Sequence, residues 1–158
     1  MIIQNKLDKT FGPFGSSTGF FLLIGGVIAT FFSVFGLIIV LIGSFVAFTS
    51  TSVQIDTENR RIKYSDNLFG IIRIGKWIDV KPDMKLGLKK SHRGYVGYIM
   101  GTQPLGIHEN DIRIILYDSN NKKIIPVQKS DSVESSKNEL INLSSILGIL
   151  PYGIKQYE

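Results

Sequence analysis

Between Lys9 and Asp56 the chain carries no charged residue, a run of 46 positions from 10 to 55. The remaining 16 Lys and Arg and 12 Asp and Glu all follow it. A soluble domain has no use for so long an apolar stretch. As one helix it would extend about 69 Å at 1.5 Å per residue, over twice the hydrocarbon thickness of a bilayer. A helical hairpin resolves the mismatch. Helices are expected over 13–32 and 37–50 with a turn at 33–36, giving a two-pass anchor, the alternative being a shallow, partly inserted hairpin.

Small residues predict how those helices meet. Gly15, Gly19, Gly26 and Ala29 recur near one face of the first, and Gly36, Gly43 and Ala47 near one face of the second. In lipid, helices associate through close backbone approach at such positions. Two uses compete: packing within the hairpin, and docking against another integral membrane protein or a second copy. The tract holds no ionisable residue, which argues against an ion path. It runs far beyond a signal-peptide h-region, and no small-residue cleavage site with a polar exit follows. It is therefore expected to be retained. Lys6 and Lys9 precede the hairpin, Arg60, Arg61 and Lys63 follow it, and the turn has no cation. The positive-inside rule then puts both termini in the cytoplasm, with the protein in the inner (cytoplasmic) membrane.

Past residue 51 the pattern changes to short alternating runs separated by turn signals. Seven strands are expected, at 52–56, 60–66, 71–80, 84–90, 95–102, 111–118 and 122–129. A helix follows, capped by Asp131 with Glu134 three residues on, apolar at Val133, Leu140, Leu143 and Leu147, and stopped by Pro151. About 105 residues form one small domain and no more. The organisation read from the chain is a cytoplasmic N-terminal segment (1–12), a transmembrane hairpin (13–50), a β domain with its helix (51–149) and a tail (150–158).

Seven antiparallel strands and a C-terminal amphipathic helix resemble the pleckstrin-homology-like (PH-like) fold, a partly open barrel plugged at one end by that helix. The phrase VQIDTENRRIKYSDNLFG, placed after a transmembrane pair, is similar to small bacterial PH-like membrane proteins. The resemblance implies an α+β membrane protein that binds lipid headgroups, peptides or protein partners without catalysis. Phosphoinositide-binding members gather cations around their first hairpin, where Arg60, Arg61 and Lys63 stand here.

Other chemistry finds little support. Gly15-Ser16-Ser17-Thr18-Gly19 matches a G-x-S-x-G elbow in letters, but that motif needs a strand before it and a helix after it. Within a membrane helix it reads as packing and capping. The two histidines, His92 and His108, stand apart in a chain with no cysteine, short of the three or four ligands zinc takes. No cofactor, small-molecule substrate or nucleic acid is expected.

The candidate contacts are surface features. Lys85, Lys89, Lys90, His92 and Arg93 form a basic segment suited to anionic headgroups or an acidic partner. Strand parity sets Trp77 outside with Arg73, while Ile72, Ile74, Ile78 and Val80 face inward; a bulge at Gly75 would reverse Trp77. Counting turns from the membrane puts 57–59, 81–83 and 103–110 far from it. The same count puts 67–70, with Leu68 and Phe69, and 91–94 and 119–121 beside it. The leading expectation is an accessory or structural subunit docking on a larger membrane complex. The alternative is a lipid-responsive module reading anionic headgroups through its basic turn.

Overall fold

A computed structural model describes residues 1–97 and 105–153, without the side chain of Leu105. The element order is β1 (Ile2–Lys9), α1 (Gly12–Thr30), α2 (Phe35–Phe48), β2 (Ser50–Asp56), β3 (Arg61–Leu68), β4 (Ile72–Asp79), β5 (Lys85–Gly97), β6 (Leu105–Tyr117), β7 (Lys123–Ser130), α3 (Val133–Leu147) and β8 (Leu150–Tyr152). The strands form two four-stranded sheets, ordered β1-β2-β3-β4 and β7-β6-β5-β8. The chain is α+β, and among the described residues the strands form no closed barrel.

The helical hairpin follows its sequence. α1 is 19 residues, about 28 Å, and is the one helix among the described residues long and apolar enough to cross a membrane. α2 has 14 residues, about 21 Å, and falls short of a full crossing by itself. It ends early because Ser50, expected inside the helix, already belongs to β2. The helices touch in one antiparallel register. A Cβ added to Gly19 would stand 2.5 Å from the backbone nitrogen of Ala47, one on Gly26 2.7 Å from that of Val40, and one on Gly43 2.5 Å from that of Leu23. Gly36 meets the backbone of Thr30 just as closely. The seam admits no side chain at these four positions.

The hairpin leaves the sheets without a linker. Thr10 donates its N–H to the carbonyl of Thr49, which ties the end of β1 to the end of α2. Gly12 takes φ +67°, a left-handed conformation that suits glycine, and its bare face receives the Tyr95 ring of β5. Across the base, Phe69 holds a positive φ of 54° with its ring edge-on to Phe45 of α2, centroids 5.3 Å apart.

Between the sheets, Val53, Ile55 and Ile62 of one pack with Leu86, Leu88, Ile112, Ile114 and Leu116 of the other, closed over by Leu140, Leu143 and Leu147 of α3. Ser132 caps that helix, its side chain accepting the Ser135 N–H at 3.2 Å, in place of the expected Asp131. Gly148 at φ +67° ends it ahead of Pro151.

Three sequence expectations fail. The N-terminal segment is a strand: β1 pairs antiparallel with β2, burying Leu7, with Ile3 packed against the core. The basic segment at 91–94 is no turn but the middle of a 13-residue β5, paired without interruption from Lys85↔Tyr117 to Gly97↔Leu105. Hydrogen bonding along this ladder overrides the turn-like composition of Ser91, His92, Arg93 and Gly94. The turn order shifts in consequence. Residues 105–110 lie at the hairpin end, where Tyr95 reaches Gly12, and 119–121 lie at the far end. Residues 98–104, including part of the expected strand at 95–102 and the start of the loop at 103–110, lie outside the described residues. Finally, Ile72 and Ile74 are 54% and 56% exposed. They stand on the edge strand β4, where it runs past the end of the core.

Candidate functional site

Strand parity builds a charged face on the second sheet. Along β6, Ile112, Ile114 and Leu116 enter the core, so Glu109, Asp111 and Arg113 turn the other way. Arg113 stands across from Lys89 on β5 and Lys129 on β7. Three adjacent cations require anions, and one comes from the other sheet. Asp8 of β1 accepts two hydrogen bonds from Arg113, at 2.7 and 3.0 Å, and a third from Arg93 at 2.9 Å. Asp111 Oδ2 takes the Nε and a terminal nitrogen of Arg113 at 2.8 and 2.6 Å. Lys129 lies 3.4 Å from Glu109, 3.6 Å from Asp8 and 3.7 Å from Asp111.

The ion pairs shift two of these groups toward their charged forms. Burial pushes the Asp8 carboxyl up, but the Arg113 hydrogen bonds and the charges of Arg113, Arg93 and Lys129 outweigh it and hold the group below its usual value. Burial likewise pushes Lys129 down, and Glu109, Asp111 and Asp8 reverse the sign. The network clamps β1 onto the second sheet.

Beside the clamp lies a cleft of about 410 Å³ that also reaches Arg93 and Arg113, with Lys89 and Lys123 among its cations and Ile115, Ile125 and Pro126 along its apolar side. No acidic side chain lines it among the described residues. Lys123 approaches Lys89 closely enough that their contact, with some burial and like-charge repulsion, depresses the Lys123 pKa. Two ammonium groups held together without a carboxylate suit an anionic ligand.

The residues singled out by sequence separate into five places. Lys89, Lys90, His92 and Arg93 line this cleft; His92 Nδ1 lies 2.7 Å from Asn110 Oδ1, and Arg93 is held by Asp8. Lys85 belongs to the far end, donating to Asn121 Oδ1 at 3.3 Å and lying over the Tyr152 ring. Leu68 and Phe69 stand at the hairpin base. Trp77 lies on the outer face of the first sheet, 38% exposed, with Arg61 and Lys63 over its ring at 5.2 and 5.9 Å. Pairing of β3 with β4 runs unbroken through Ser65↔Gly75, with no bulge. Of the small residues, Gly19, Gly26, Gly36, Gly43 and Ala47 are buried in the α1–α2 seam, Ala29 is half-buried, and Gly15 meets Phe11 of its own turn.

Sequence reasoning missed Asp8, Arg113, Lys129 and Lys123. The alternation of Glu109, Asp111 and Arg113 signalled a charged face. Its partner in β1, over 100 residues away, had no local signal. A strand does precede the G-x-S-x-G segment, yet Ser17 lies inside α1, donating to the Pro13 carbonyl at 2.9 Å, and not on a strand-to-helix turn.

No protein-family description, curated protein or solved structure matches this chain.

Proposed function

We propose that the chain is a non-enzymatic, membrane-anchored binding module, an accessory subunit that takes an acidic segment of a larger membrane protein into the cleft at Lys89 and Lys123. That acid-free lysine pair is the observation that carries the reading. The hairpin supplies the anchor. Its outward face is mainly apolar, with Phe21, Ile24, Phe31, Phe32, Phe35 and Leu41 all more than half exposed. Monomeric soluble proteins do not present apolar surface on that scale. Exposed Ile71, Ile72, Val96 and Ile107 continue it onto the adjoining end of the sheets. The cation pattern around the hairpin supports a cytoplasmic orientation in the inner membrane.

A PH-like assignment is supported by the strand order: β1 to β7 are successive antiparallel strands, four in one sheet and three in the other, followed by α3 over the core. The membrane hairpin then sits between the first two strands. With Gly19, Gly26, Gly36, Gly43 and Ala47 used inside the hairpin, docking rests on the sheet cleft and on the outer helix faces.

Mild-detergent purification at native expression, with and without K89E/K123E, tests this. A stoichiometric membrane partner retained by the native chain and lost by the variant is expected. A monomer running alone, or a complex indifferent to the variant, defeats the reading. A second reading, a lipid-responsive module, draws on a different cavity at the hairpin base.

A further inference from the structure

The outer face of the first sheet carries an arrangement unlike its surroundings. Lys9, Ser50, Asn67 and Arg73 stand in one row across its four strands, and Lys6, Ser52, Ser65 and Gly75 in the next. Short side chains thus occupy the middle, with long cations from β1 on one rim and from β4 on the other. The floor is internally bonded. Ser52 donates to Asn67 Oδ1 at 3.1 Å, and Asn67 Nδ2 donates to Ser50 at 3.5 Å.

Positions three apart on a regular strand face opposite ways. Lys6 and Lys9 nonetheless line one cavity, of about 480 Å³, because the β1–β2 register shifts between them. Lys6 opposes Ser52 and Lys9 opposes Ser50, so three steps on β1 meet two on β2. Such bulges re-aim a side chain and concentrate near functional sites. Phe20 and Phe48 of the hairpin form the opposite wall, with Lys9 Nζ 5.7 Å from the Phe20 ring centroid. Asp8 also lines the cavity, but Arg113 and Arg93 occupy its oxygens. Among the described residues Lys6, Lys9 and Arg73 form no salt bridge, in contrast to Arg61, Arg93, Arg113 and Lys129.

From this geometry we propose that the cavity seats the headgroup of an anionic phospholipid. Lys6, Lys9 and Arg73 surround the phosphate, and Phe20 and Phe48 meet the start of the acyl chains. The inference rests on the hairpin lying in the membrane. It locates the cations where the uncharged run begins at position 10, the level at which headgroups lie. The headgroup cations are then not those of 85–93, which lie on the other sheet. The site depends on structure in a way net charge does not: three cations converge on one phosphate from two strands that are not neighbours.

The test reconstitutes the full-length protein in vesicles of phosphatidylcholine containing one-tenth phosphatidylglycerol, then extracts it mildly and measures retained lipid by native mass spectrometry. The native chain is expected to retain phosphatidylglycerol several-fold above its share of the bilayer. The variant K6Q/K9Q/R73Q is expected to insert and lose that enrichment. K76Q/K81Q/K122Q removes the same charge at exposed lysines that line neither cavity, and is expected to keep it. Enrichment that survives in the first variant, or disappears equally in both, overturns the site. A native chain that fails to insert overturns the membrane reading itself, and the site with it.

Discussion

Asp8 and Arg113, 105 residues apart in sequence, share two hydrogen bonds of 2.7 and 3.0 Å between the two sheets. The guanidinium is 5% exposed and the carboxylate 11%. Asp8 is the penultimate residue of the strand that feeds directly into α1, so the same pair fixes the hairpin's root against β6. Removing Asp8 takes away two of the four hydrogen bonds of a buried guanidinium and leaves it Asp111 alone, at a cost of about 3 kcal/mol. D8A should therefore lower unfolding stability in detergent by about that amount. A double-mutant cycle with R113M should show strong coupling, and near-additive losses would mean the pair is no clamp.

Neighbouring glycines in α1 should respond oppositely to alanine. A Cβ on Gly25 meets nothing within 4 Å, while one on Gly26 reaches the Val40 backbone at 2.7 Å. G26A must push the helices apart, costing about 1–3 kcal/mol. G25A should be neutral or slightly stabilising, by up to about 1 kcal/mol of helix propensity. Thermal unfolding of the two variants gives the comparison, and equal shifts would place the seam elsewhere.

Asp56 couples stability to acid. The Asn59 side chain, against some desolvation, and then Arg61 and the Asn59 N–H, lower its pKa to about 2. A carboxyl depressed in the folded state adds stability above its unfolded value of about 3.9, and that contribution is lost as pH falls toward the folded value. The native chain should lose stability between pH 4 and 2. D56N should start lower at neutral pH, vary less across that window and converge with the native chain near its lower end. Parallel profiles would remove Asp56 from the acid response.

The Lys89–Lys123 contact has a direct spectroscopic reading. Removing the Lys89 charge in K89Q relieves the cause of the depressed Lys123 pKa. The Lys123 titration, followed by NMR of reductively methylated lysines, should move up toward its ordinary position. An unmoved midpoint would separate the two side chains.

Trp77, the single tryptophan, should report its two cations. With Arg61 and Lys63 over the ring, iodide should quench its fluorescence more efficiently than caesium at equal ionic strength. The preference should fall in R61Q/K63Q. No anion preference in the native chain would mean those side chains point away.

Legibility followed the range of the forces involved. The two apolar helices, α3 and most β-ladder positions were readable because periodicity and charge are local. β1 was not, although Ile3, Asn5 and Leu7 alternate with Gln4, Lys6 and Asp8. Its cations also read as the flank of a membrane helix, and its pairing partner begins only after the hairpin. The opposite error split β5 at Ser91–Gly94, where polar and glycine content mimics a turn. The expected count of seven strands thus omitted two, β1 and β8, and divided another.

By itself the sequence determined that an uncharged run of this length folds into apolar helices and that alternating strands follow it, because solvent transfer and backbone sterics act residue by residue. It also determined the small-residue positions, since only those permit backbones to touch. The tertiary structure decided where the charges meet. Whether Asp8 neutralises Arg113, whether Lys89 stands beside Lys123, and whether Lys6 and Lys9 face Arg73 depend on register, one bulge and the approach of two sheets. A shift of one residue turns every side chain of a strand to the other face, so those relationships exist only once all the strands are placed.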